Sequence, residues 1–355
     1  MNILITGGAG FVGSSLARSF KVADPTCRIT VFDNLKRRGS EFNLADFREM
    51  GIYFVHGDIR SPSDFNQLAG SDFDVLVEAS AEPSVLAGTD GESRYLFETN
   101  LGGTYNCLEF ARKHVQRVIF ISTSRVYSIP DLLEVPLRED PTRYEIDSQA
   151  ELPAGLSEAG IAENFSTERF RSLYGMTKRA SEMLIQEYCA QFDLEAVINR
   201  CGVIAGPGQW GKTDQGVFSL WVANHFFQKP LTYTGFNGLG KQVRDLLHPL
   251  DLFDLLEKQI VDMGDGSGEI YNVGGGHAHS VSLMEYTQIC RTVVGHEISI
   301  GSRPDTASVD IPYYVSDNKQ VEKRYDWKPT RDPQLIVTQI AGWLEQNQRL
   351  LKDFF

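Results

Sequence analysis

Two patterns of hydrophobic and polar positions alternate along the first 200 residues. Residues 2–6 form a short apolar run, a glycine-rich turn follows, and residues 11–20 have the spacing of a helix with one buried face. Short apolar runs that alternate with helical segments are typical of parallel strands joined by helical crossovers. We therefore predict an α/β fold with a Rossmann-like, doubly wound parallel sheet. The further predicted strands are 29–32, 53–55, 75–77, 117–121 and 196–198, and the further predicted helices are 100–113 and 178–192.

The pattern changes beyond about residue 200, where loops rich in Gly and Pro interrupt shorter elements. We predict a Rossmann-like domain over 1–200 with a return segment at about 245–275. A smaller C-terminal substrate-binding lobe would then comprise 201–244 and 276–355. One helix of this lobe is well marked, because Ser282 and Glu285 have the spacing of a capping box. The acidic stretch from residue 129 to residue 168 is expected to be a long functional loop.

Composition narrows the class of protein. The chain has 355 residues, of which 42% are hydrophobic and 23% charged, and no apolar run approaches the roughly 20 residues of a membrane helix. We expect a soluble protein with no membrane partner. The first strand begins at once, without an export signal, so we expect the cytoplasm. A net charge of −13 without a basic block argues against nucleic acid as a partner.

The cysteines and histidines do not indicate a metal site. Five scattered cysteines lack the CxxC spacing of zinc ligands, so reduced, packed thiols are expected. His277 and His279 form an HxH pair without clustered carboxylates, and we interpret them as loop residues. No metal is predicted.

The first turn has the glycine spacing of a dinucleotide site. Gly7 permits a tight bend, Gly10 lets the backbone approach a pyrophosphate at the helix N-terminus, and Gly13 allows the helix to pack closely on the sheet. Asp33 follows twenty residues after Gly13 at a strand end, where its carboxylate suits a ribose 2′-hydroxyl. It favours NAD over NADP, although the basic run 36–38 leaves the alternative open. Further residues expected to contact the cofactor are Phe11, Val12, Asn34, Asp58, Ile59, Ala79, Ser80, Ala81 and Asn100.

Asp58 and Ile59 follow the third predicted strand, so we place them near the adenine. Capping of the loop is an equally good interpretation of Asp58. Ala79, Ser80 and Ala81 follow the fourth strand and would line the cofactor trough.

A tyrosine and a lysine four residues apart indicate acid–base chemistry. Tyr174 and Lys178 share one helix face, and the lysine charge favours the ionised form of a phenol whose ordinary pKa is about 10. Such a phenolate can remove the proton of a carbinol during hydride transfer. Thr123 follows the apolar strand 117–121, where its hydroxyl would hydrogen-bond the reacting oxygen.

These motifs together resemble one family. The TGGAGFVG turn at 6–13, Asp33, the STS segment at 122–124 and the YGMTK segment at 174–178 resemble the extended short-chain dehydrogenase/reductase family that acts on nucleotide sugars. The resemblance spans nearly the whole chain and implies an NAD-dependent enzyme with Thr123, Tyr174 and Lys178 as catalytic residues. A silent NAD-binding regulator is the alternative, but it would be expected to lose one of these three.

Departures from the family pattern select among its reactions. The 4,6-dehydratases carry Asp-Glu directly after the catalytic Thr, and the decarboxylases carry Glu at the second of these places, whereas this chain has Ser124-Arg125. The segments 32–35, 214–216 and 240–245 are instead similar to 2-epimerases of CDP-linked deoxyhexoses, which implies a role in lipopolysaccharide O-antigen biosynthesis. The open alternatives are a 4-epimerase or a net dehydrogenase acting on a UDP- or GDP-sugar.

The resemblance also implies substrate contacts and an assembly. Arg244 would clamp the nucleotide pyrophosphate with Arg303 as a second cation, and Gln215 and Glu82 would contact the substrate, although Glu82 stands where the resemblance predicts Gln. In this family the helices equivalent to 96–113 and 178–192 form the four-helix bundle of a homodimer, which we expect here.

Overall fold

The computed structural model describes residues 1–88, 91–211 and 215–352. Two compact units divide the chain. Unit 1 comprises Met1–Val126, Leu173–Arg200 and Leu252–Tyr271, and unit 2 comprises Tyr127–Ser172, Cys201–Asp251 and Asn272–Phe355. Within the described ranges no helix combines the length and the hydropathy that a membrane crossing requires.

Strands are numbered in chain order. They are β1 (Asn2–Thr6), β2 (Arg28–Asp33), β3 (Tyr53–His56), β4 (Phe73–Glu78), β5 (Val115–Thr123), β6 (Leu137–Glu139), β7 (Tyr144–Ile146), β8 (Leu156–Ser157), β9 (Gly160–Ile161), β10 (Glu195–Cys201), β11 (Val203–Ile204), β12 (Leu231–Thr234), β13 (Val243–Leu247), β14 (Ser267–Val273), β15 (Ser280–Ser282), β16 (Ile300–Arg303) and β17 (Tyr313–Tyr314).

Helices are numbered in the same way. They are α1 (Phe11–Ala23), α2 (Asn43–Met50), α3 (Arg94–Phe97), α4 (Gly103–His114), α5 (Ile129–Leu133), α6 (Leu173–Phe192), α7 (Val217–Phe226), α8 (Pro249–Val261), α9 (Leu283–Val294), α10 (Lys319–Tyr325), α11 (Pro333–Gln346) and α12 (Gln348–Leu351). A π-helical turn over Glu98–Gly102 joins α3 to α4, and a 3-10 turn over Ser124–Val126 follows β5.

A seven-stranded sheet forms the centre of unit 1, in the order β14-β10-β5-β4-β1-β2-β3. The pairs that β1 forms with β2 and β4 are parallel, as are β2 with β3 and β4 with β5. Six of the seven strands overlap the predicted apolar runs, and β14 lies in the expected return segment. The predicted Rossmann-like α/β fold is confirmed.

The core of unit 1 lies between the sheet and the helices α4 and α6. Alternate residues of a strand share one face, so Leu76 and Glu78 of β4 both point toward this layer. Leu76, Phe120 and Ile198 from the sheet pack there with Leu108 of α4 and Ile185 of α6, and all five side chains are buried. Helix α6 begins five residues earlier than the predicted helix 178–192, so Tyr174 and Lys178 are both helical.

Unit 2 contains residues 127–172, which we expected within a domain spanning 1–200. The stretch 129–168, expected to be one long loop, has local structure of its own. It contains α5 and two antiparallel hairpins, β6 with β7 and β8 with β9. Their backbone groups are satisfied partly within the hairpins and partly by other segments, since the Tyr144 amide donates to the Lys241 carbonyl and the Ile161 amide to the Val315 carbonyl.

Two further sheets and a helical layer complete unit 2. Strand β13 pairs with β11, β15 and β17, while β12 pairs with β16. Helices α7, α9 and α11 bury Trp221, Tyr286 and Ile340 in one apolar cluster. The predicted capping box at the start of α9 is confirmed, because the Glu285 amide donates to Ser282 Oγ and the Ser282 amide donates to the Glu285 carboxylate.

Candidate functional site

The glycine-rich turn between β1 and α1 leaves no room for side chains. Gly7 has φ of +64°, and a Cβ added there would lie 2.7 Å from Ser80 Cα. A Cβ on Gly13 would lie 2.5 Å from Gly8 Cα and closer still to the Gly7 carbonyl oxygen. Gly10 is the residue before α1, and the first-turn amides of this helix face outward at its positive end. The turn therefore fits a dinucleotide pyrophosphate.

Asp33 ends β2 beside this turn. Its Oδ2 accepts from the Ala9 amide at 3.0 Å and its Oδ1 from the Leu35 amide at 2.7 Å. Burial raises the pKa of the Asp33 carboxyl, while these amides lower it. A carboxylate has further acceptor positions beyond the two used here, so Asp33 keeps the capacity to bind ribose hydroxyls.

Asp58 is engaged within the protein, next to Asn34. Its Oδ2 accepts from Asn34 Nδ2 at 3.0 Å and forms an ion pair of 2.6 Å with Arg60, while its Oδ1 accepts from the Arg60 amide. Burial would raise the pKa of Asp58, but the bonds from Arg60 and Asn34 outweigh it and lower the pKa to about 2. These contacts correspond to the loop-capping interpretation of Asp58.

The remaining predicted cofactor residues occupy two environments. Phe11 and Val12 begin α1 and are half-buried, as are Ala79 and Ala81, while Ser80 is buried after β4. The Ala79 amide donates to the Thr6 carbonyl at 3.1 Å, which fixes this segment along β1. The Ile59 side chain, in contrast, is buried in the apolar core of unit 1.

Asn100 lies in the π-helical turn, where one extra residue in the helix redirects the backbone. Its Nδ2 donates to the Glu82 carbonyl at 3.1 Å and to Thr177 Oγ1 at 3.2 Å, and its Oδ1 accepts from the Glu82 amide at 2.8 Å. The amide side chain thus links the Glu82 backbone to α6. Glu82 was expected to contact substrate, and its side chain is half-buried.

Thr123 is the last residue of β5 and is 9% exposed. Its Oγ1 accepts from the Arg125 amide at 3.2 Å, which leaves the hydroxyl hydrogen for another acceptor. The 3-10 turn that follows carries Ser124 and Arg125, so no carboxylate stands directly after Thr123 in the chain.

Tyr174 and Lys178 lie one helical turn apart in the first half of α6 and are both buried. The Lys178 Nζ lies 4.1 Å from the centroid of the Phe120 ring in β5. Helix α6 also packs against the 3-10 turn after β5. The structure therefore brings the predicted Tyr, Lys and Thr to the carboxyl ends of the central strands of unit 1.

A buried ion pair behind these residues was missed by the sequence analysis. Glu182, one turn beyond Lys178, is fully buried and lies 2.7 Å from Arg200 Nη2 of β10. It also accepts from Ser122 Oγ at 2.6 Å and is 3.4 Å from Arg179. Ser122 precedes Thr123, so this network anchors the end of β5 to α6. The spacing of Glu182 from Lys178 was the available signal.

A second missed residue is Glu78, the last residue of β4. It is 1% exposed, and Thr104 Oγ1 of α4 lies 3.1 Å from its Oε2. Burial raises the pKa of Glu78 to about 7, against the lowering effect of the Lys178 charge. A carboxyl group that ends an otherwise apolar strand was the signal in the sequence.

In unit 2 the predicted substrate residues are not equally accessible. Arg244 is 9% exposed, and its Nη2 contacts Asp310 Oδ1 at 3.1 Å and the Ile311 carbonyl at 2.7 Å. Arg303 in β16 is exposed. Gln215 Oε1 is buried and has no hydrogen-bond partner among the described residues. Asp214, of the same predicted segment, lies outside the residues that the structure describes.

Comparisons with known proteins agree on a family. The model of the NAD dependent epimerase/dehydratase family matches residues 3–274. The chain is 31% identical to CDP-paratose 2-epimerase of Salmonella typhi, with 97% of this chain and 99% of that protein covered. It is 26% identical to dTDP-glucose 4,6-dehydratase of Salmonella typhimurium, with 99% and 95% covered.

A solved structure agrees with the sequence relatives. DesIV, a dTDP-glucose 4,6-dehydratase from Streptomyces venezuelae with NAD and TYD bound, is 26% identical and matches with a TM-score of 0.79 over 100% of both chains. The family and the cofactor that the motifs predict are thereby confirmed. The chain belongs to the NAD dependent epimerase/dehydratase family and is an NAD-dependent enzyme.

Proposed function

We propose that this enzyme is a nucleotide-sugar epimerase that inverts carbon 2 of a CDP-linked deoxyhexose. The relative named CDP-paratose 2-epimerase is similar along nearly the whole chain, which supports this choice of substrate class. NAD, when bound, accepts a hydride from the carbinol carbon and returns it. Residues of the chain perform the other steps, which are the binding of the cofactor and substrate and the transfer of the proton.

The NAD site of the proposal is the turn between β1 and α1. The first-turn amides after Gly10 would bind the pyrophosphate, and the Asp33 carboxylate would bind the adenosine ribose. Asp33 would also repel a 2′-phosphate, which agrees with an NAD-dependent family. Ala79, Ser80 and Ala81 would border the cofactor.

The acid–base residues of the proposal are Thr123, Tyr174 and Lys178. The Tyr174 phenolate would take the proton of the sugar hydroxyl as the hydride leaves the same carbon, so a ketone forms. Thr123 would orient the reacting oxygen, and Lys178 would stabilise the phenolate. After the keto sugar has turned over in the site, Tyr174 returns the proton when the hydride reaches the opposite face.

Ser124 and Arg125 carry the preference for epimerisation over dehydration. Elimination of water needs a general acid and a general base beside the reacting carbons. Serine and arginine directly after Thr123 do not supply this acid–base pair, whereas reversible oxidation needs a single proton acceptor and donor, which is Tyr174 in this proposal. This observation supports the proposed epimerisation over the reaction of the dehydratases to which the chain is also similar.

In unit 2, Arg244 and Arg303 would bind the pyrophosphate of the nucleotide sugar, and Gln215 would contact the same ligand. Arg244 would exchange its contact with Asp310 for the phosphate oxygens, with which a guanidinium forms two parallel bonds. Gln215 Oε1 is buried and has no hydrogen-bond donor among the described residues, and a ligand hydroxyl would provide one. Glu82 of unit 1 would contact the sugar.

We also propose the assembly and the setting of the enzyme. Helices α4 and α6 would form the four-helix bundle of a homodimer, since both present exposed apolar side chains. The cytoplasm, where nucleotide sugars are made, and O-antigen biosynthesis are the proposed location and pathway.

The proposal is tested by following the label on a substrate deuterated at carbon 2. CDP-, UDP-, GDP- and dTDP-linked sugars are incubated with the NAD-loaded enzyme, and the products are examined by NMR spectroscopy. We expect inversion at carbon 2 of a CDP-sugar with the deuterium retained and no NADH accumulation. Accumulating NADH would indicate a net dehydrogenase, and inversion at carbon 4 of a UDP- or GDP-sugar would indicate the alternative epimerase.

Tyr174→Phe removes the proposed base without changing the ring. We expect it to lower kcat by at least about a thousandfold, within the usual contribution of general acid–base catalysis, while NAD remains bound. The matched control is Tyr53→Phe, which removes a hydroxyl from a side chain that is 68% exposed on β3. Near-normal turnover of Tyr174→Phe would overturn the assignment.

A further inference from the structure

Glu78 is a buried carboxyl group that the proposed reaction does not use. It ends β4, where it is paired in register with Thr6 of β1 and Phe120 of β5, and it is 1% exposed. A carboxylate at such a depth loses its hydration and must find compensating partners or become neutral. Its position at the carboxyl end of the sheet places it among the elements that carry Thr123 and Lys178.

Helices α4 and α6 supply the side chains around Glu78. Helix α4 contributes Thr104 and, one turn later, the Cys107 thiol, whose pKa is raised by burial and then by the Glu78 charge. Helix α6 contributes Lys178, whose Nζ lies on the ring of Phe120, the register partner of Glu78. Lys178 and Cys107 are thus the titratable groups that face it.

Hydrogen-bond accounting indicates that Glu78 carries a proton. Thr104 Oγ1 has one hydrogen, yet it lies 2.8 Å from the Asn100 carbonyl and 3.1 Å from Glu78 Oε2. The carbonyl can only accept, and its contact is the shorter one, so the threonine hydrogen belongs there. The Thr104 oxygen is then an acceptor toward Glu78, which must donate.

The second oxygen of Glu78 supports the same protonation state. Glu78 Oε1 is buried without a hydrogen-bond partner among the described residues. An ionised carboxylate would leave half its charge unsatisfied there, whereas the carbonyl oxygen of a neutral acid loses much less. The raised pKa of about 7, caused by burial, agrees with a neutral acid at pH values below 7.

We propose that Glu78 is a positioning residue, a neutral acid that donates to Thr104 and leaves the full positive charge of Lys178 to act on Tyr174. When Glu78 ionises, its negative charge in the low-dielectric interior offsets part of the lysine charge, and the Tyr174 phenolate is less well stabilised. The inference rests on the proposed roles of Tyr174 and Lys178. It adds a group that makes turnover depend on pH.

The protonation state can be measured without any substrate. Infrared spectra of the NAD-loaded wild type and of Glu78→Gln are compared at about pH 5.5 and about pH 8.5, on either side of the expected ionisation. We expect the difference spectrum to contain the carbonyl stretch of a protonated carboxylic acid at the lower pH and to lose it at the higher pH. Absence of the band at the lower pH would overturn the inference. Glu195→Gln, at the opposite end of the sheet, is the control that keeps the band.

Turnover supplies the second measurement. The ratio of kcat for Glu78→Gln to kcat for the wild type is followed across the same pH range. Because glutamine cannot ionise, we expect this ratio to rise at least about threefold with pH. A constant ratio would mean that Glu78 has only a structural role.

A second variant covers the case in which Glu78→Gln does not fold. Thr104→Val removes the proposed acceptor and keeps the shape of the side chain, so the carbonyl band should move to higher frequency in the folded holoenzyme. An unmoved band would contradict the hydrogen bond. Failure of the proposed function appears elsewhere, as normal turnover of Tyr174→Phe, so the two outcomes are distinguishable.

Discussion

The desolvation of two buried glutamates in unit 1 is compensated in different ways. Glu182 is compensated by Arg200 and by the Ser122 hydroxyl, an arrangement in which removal of one partner would leave a buried charge. Glu78 has a hydroxyl as its one hydrogen-bonding neighbour among the described residues and lies within the field of Lys178. The first glutamate fixes geometry through its ion pair, whereas the second responds to pH near neutrality.

The raised pKa of Glu78 makes the stability of the protein depend on pH. Between pH 4.5 and about 7 the folded state keeps a proton that the unfolded chain has released, so the free energy of unfolding falls as pH rises through this window. Glu78→Gln does not lose stability in this way, because glutamine does not ionise. Relative to the wild type, the free energy of unfolding of the variant, measured by urea denaturation, should therefore rise by about 2–3 kcal/mol across the window. A constant difference for Glu78→Gln would contradict the prediction.

Sequence patterns predicted the candidate site residues but not their partners. Gly7, Asp33 and Tyr174 could be found because backbone conformation, strand position and helical spacing constrain the residue type. The contacts of Arg244 with Asp310 and of Asn100 with the Glu82 backbone join residues that are 66 and 18 positions apart. No local pattern specifies which residues meet across such distances.

At the scale of elements, strands were predicted better than helix boundaries. Apolar runs marked the positions of β1 to β5 and β10, since both faces of a parallel sheet are covered. The start of α6 was placed late because the segment before Lys178 lacks a clear apolar period. The π-helical turn before α4 inserts one residue without any special residue type, so it left no signal.

The first turn of α1 offers a prediction about backbone packing. Gly13→Ala would force a Cβ against the Gly7 carbonyl and Gly8 Cα, both backbone atoms that cannot rotate away. We expect a loss of about 1–3 kcal/mol in stability and a fall in NAD affinity of at least about tenfold. Calorimetric titration with NAD and urea denaturation measure the two effects.

Gly342→Ala is the matched control in α11, where an added Cβ meets nothing within 4 Å. Alanine should stabilise this helix by about 0.5–1 kcal/mol. If both variants behaved alike, the close packing at Gly13 would not be the cause.

At the scale of the whole molecule, unit 1 presents large apolar side chains on α4 and α6. Tyr105 and Met183 are 48% and 55% exposed, on the two helices proposed to form the dimer bundle. Tyr105→Glu with Met183→Glu should raise the dimer dissociation constant at least about tenfold, as measured by analytical ultracentrifugation. Val261→Glu, on an 84% exposed residue of α8, is the control and should leave the assembly unchanged. A monomeric wild type would contradict the proposal.

The sheet of unit 1 draws its strands from three separated parts of the chain, with a consequence for synthesis. A ribosome that has released only the first 200 residues has delivered six of the seven strands, and β10 is left as an unpaired edge. Such an edge is a template for aggregation. The exposed edge of β10 is then covered only after β14, some seventy residues later in the chain, has been synthesised. Truncation before Ser267 should give an insoluble product even though the glycine turn and helix α6 are retained.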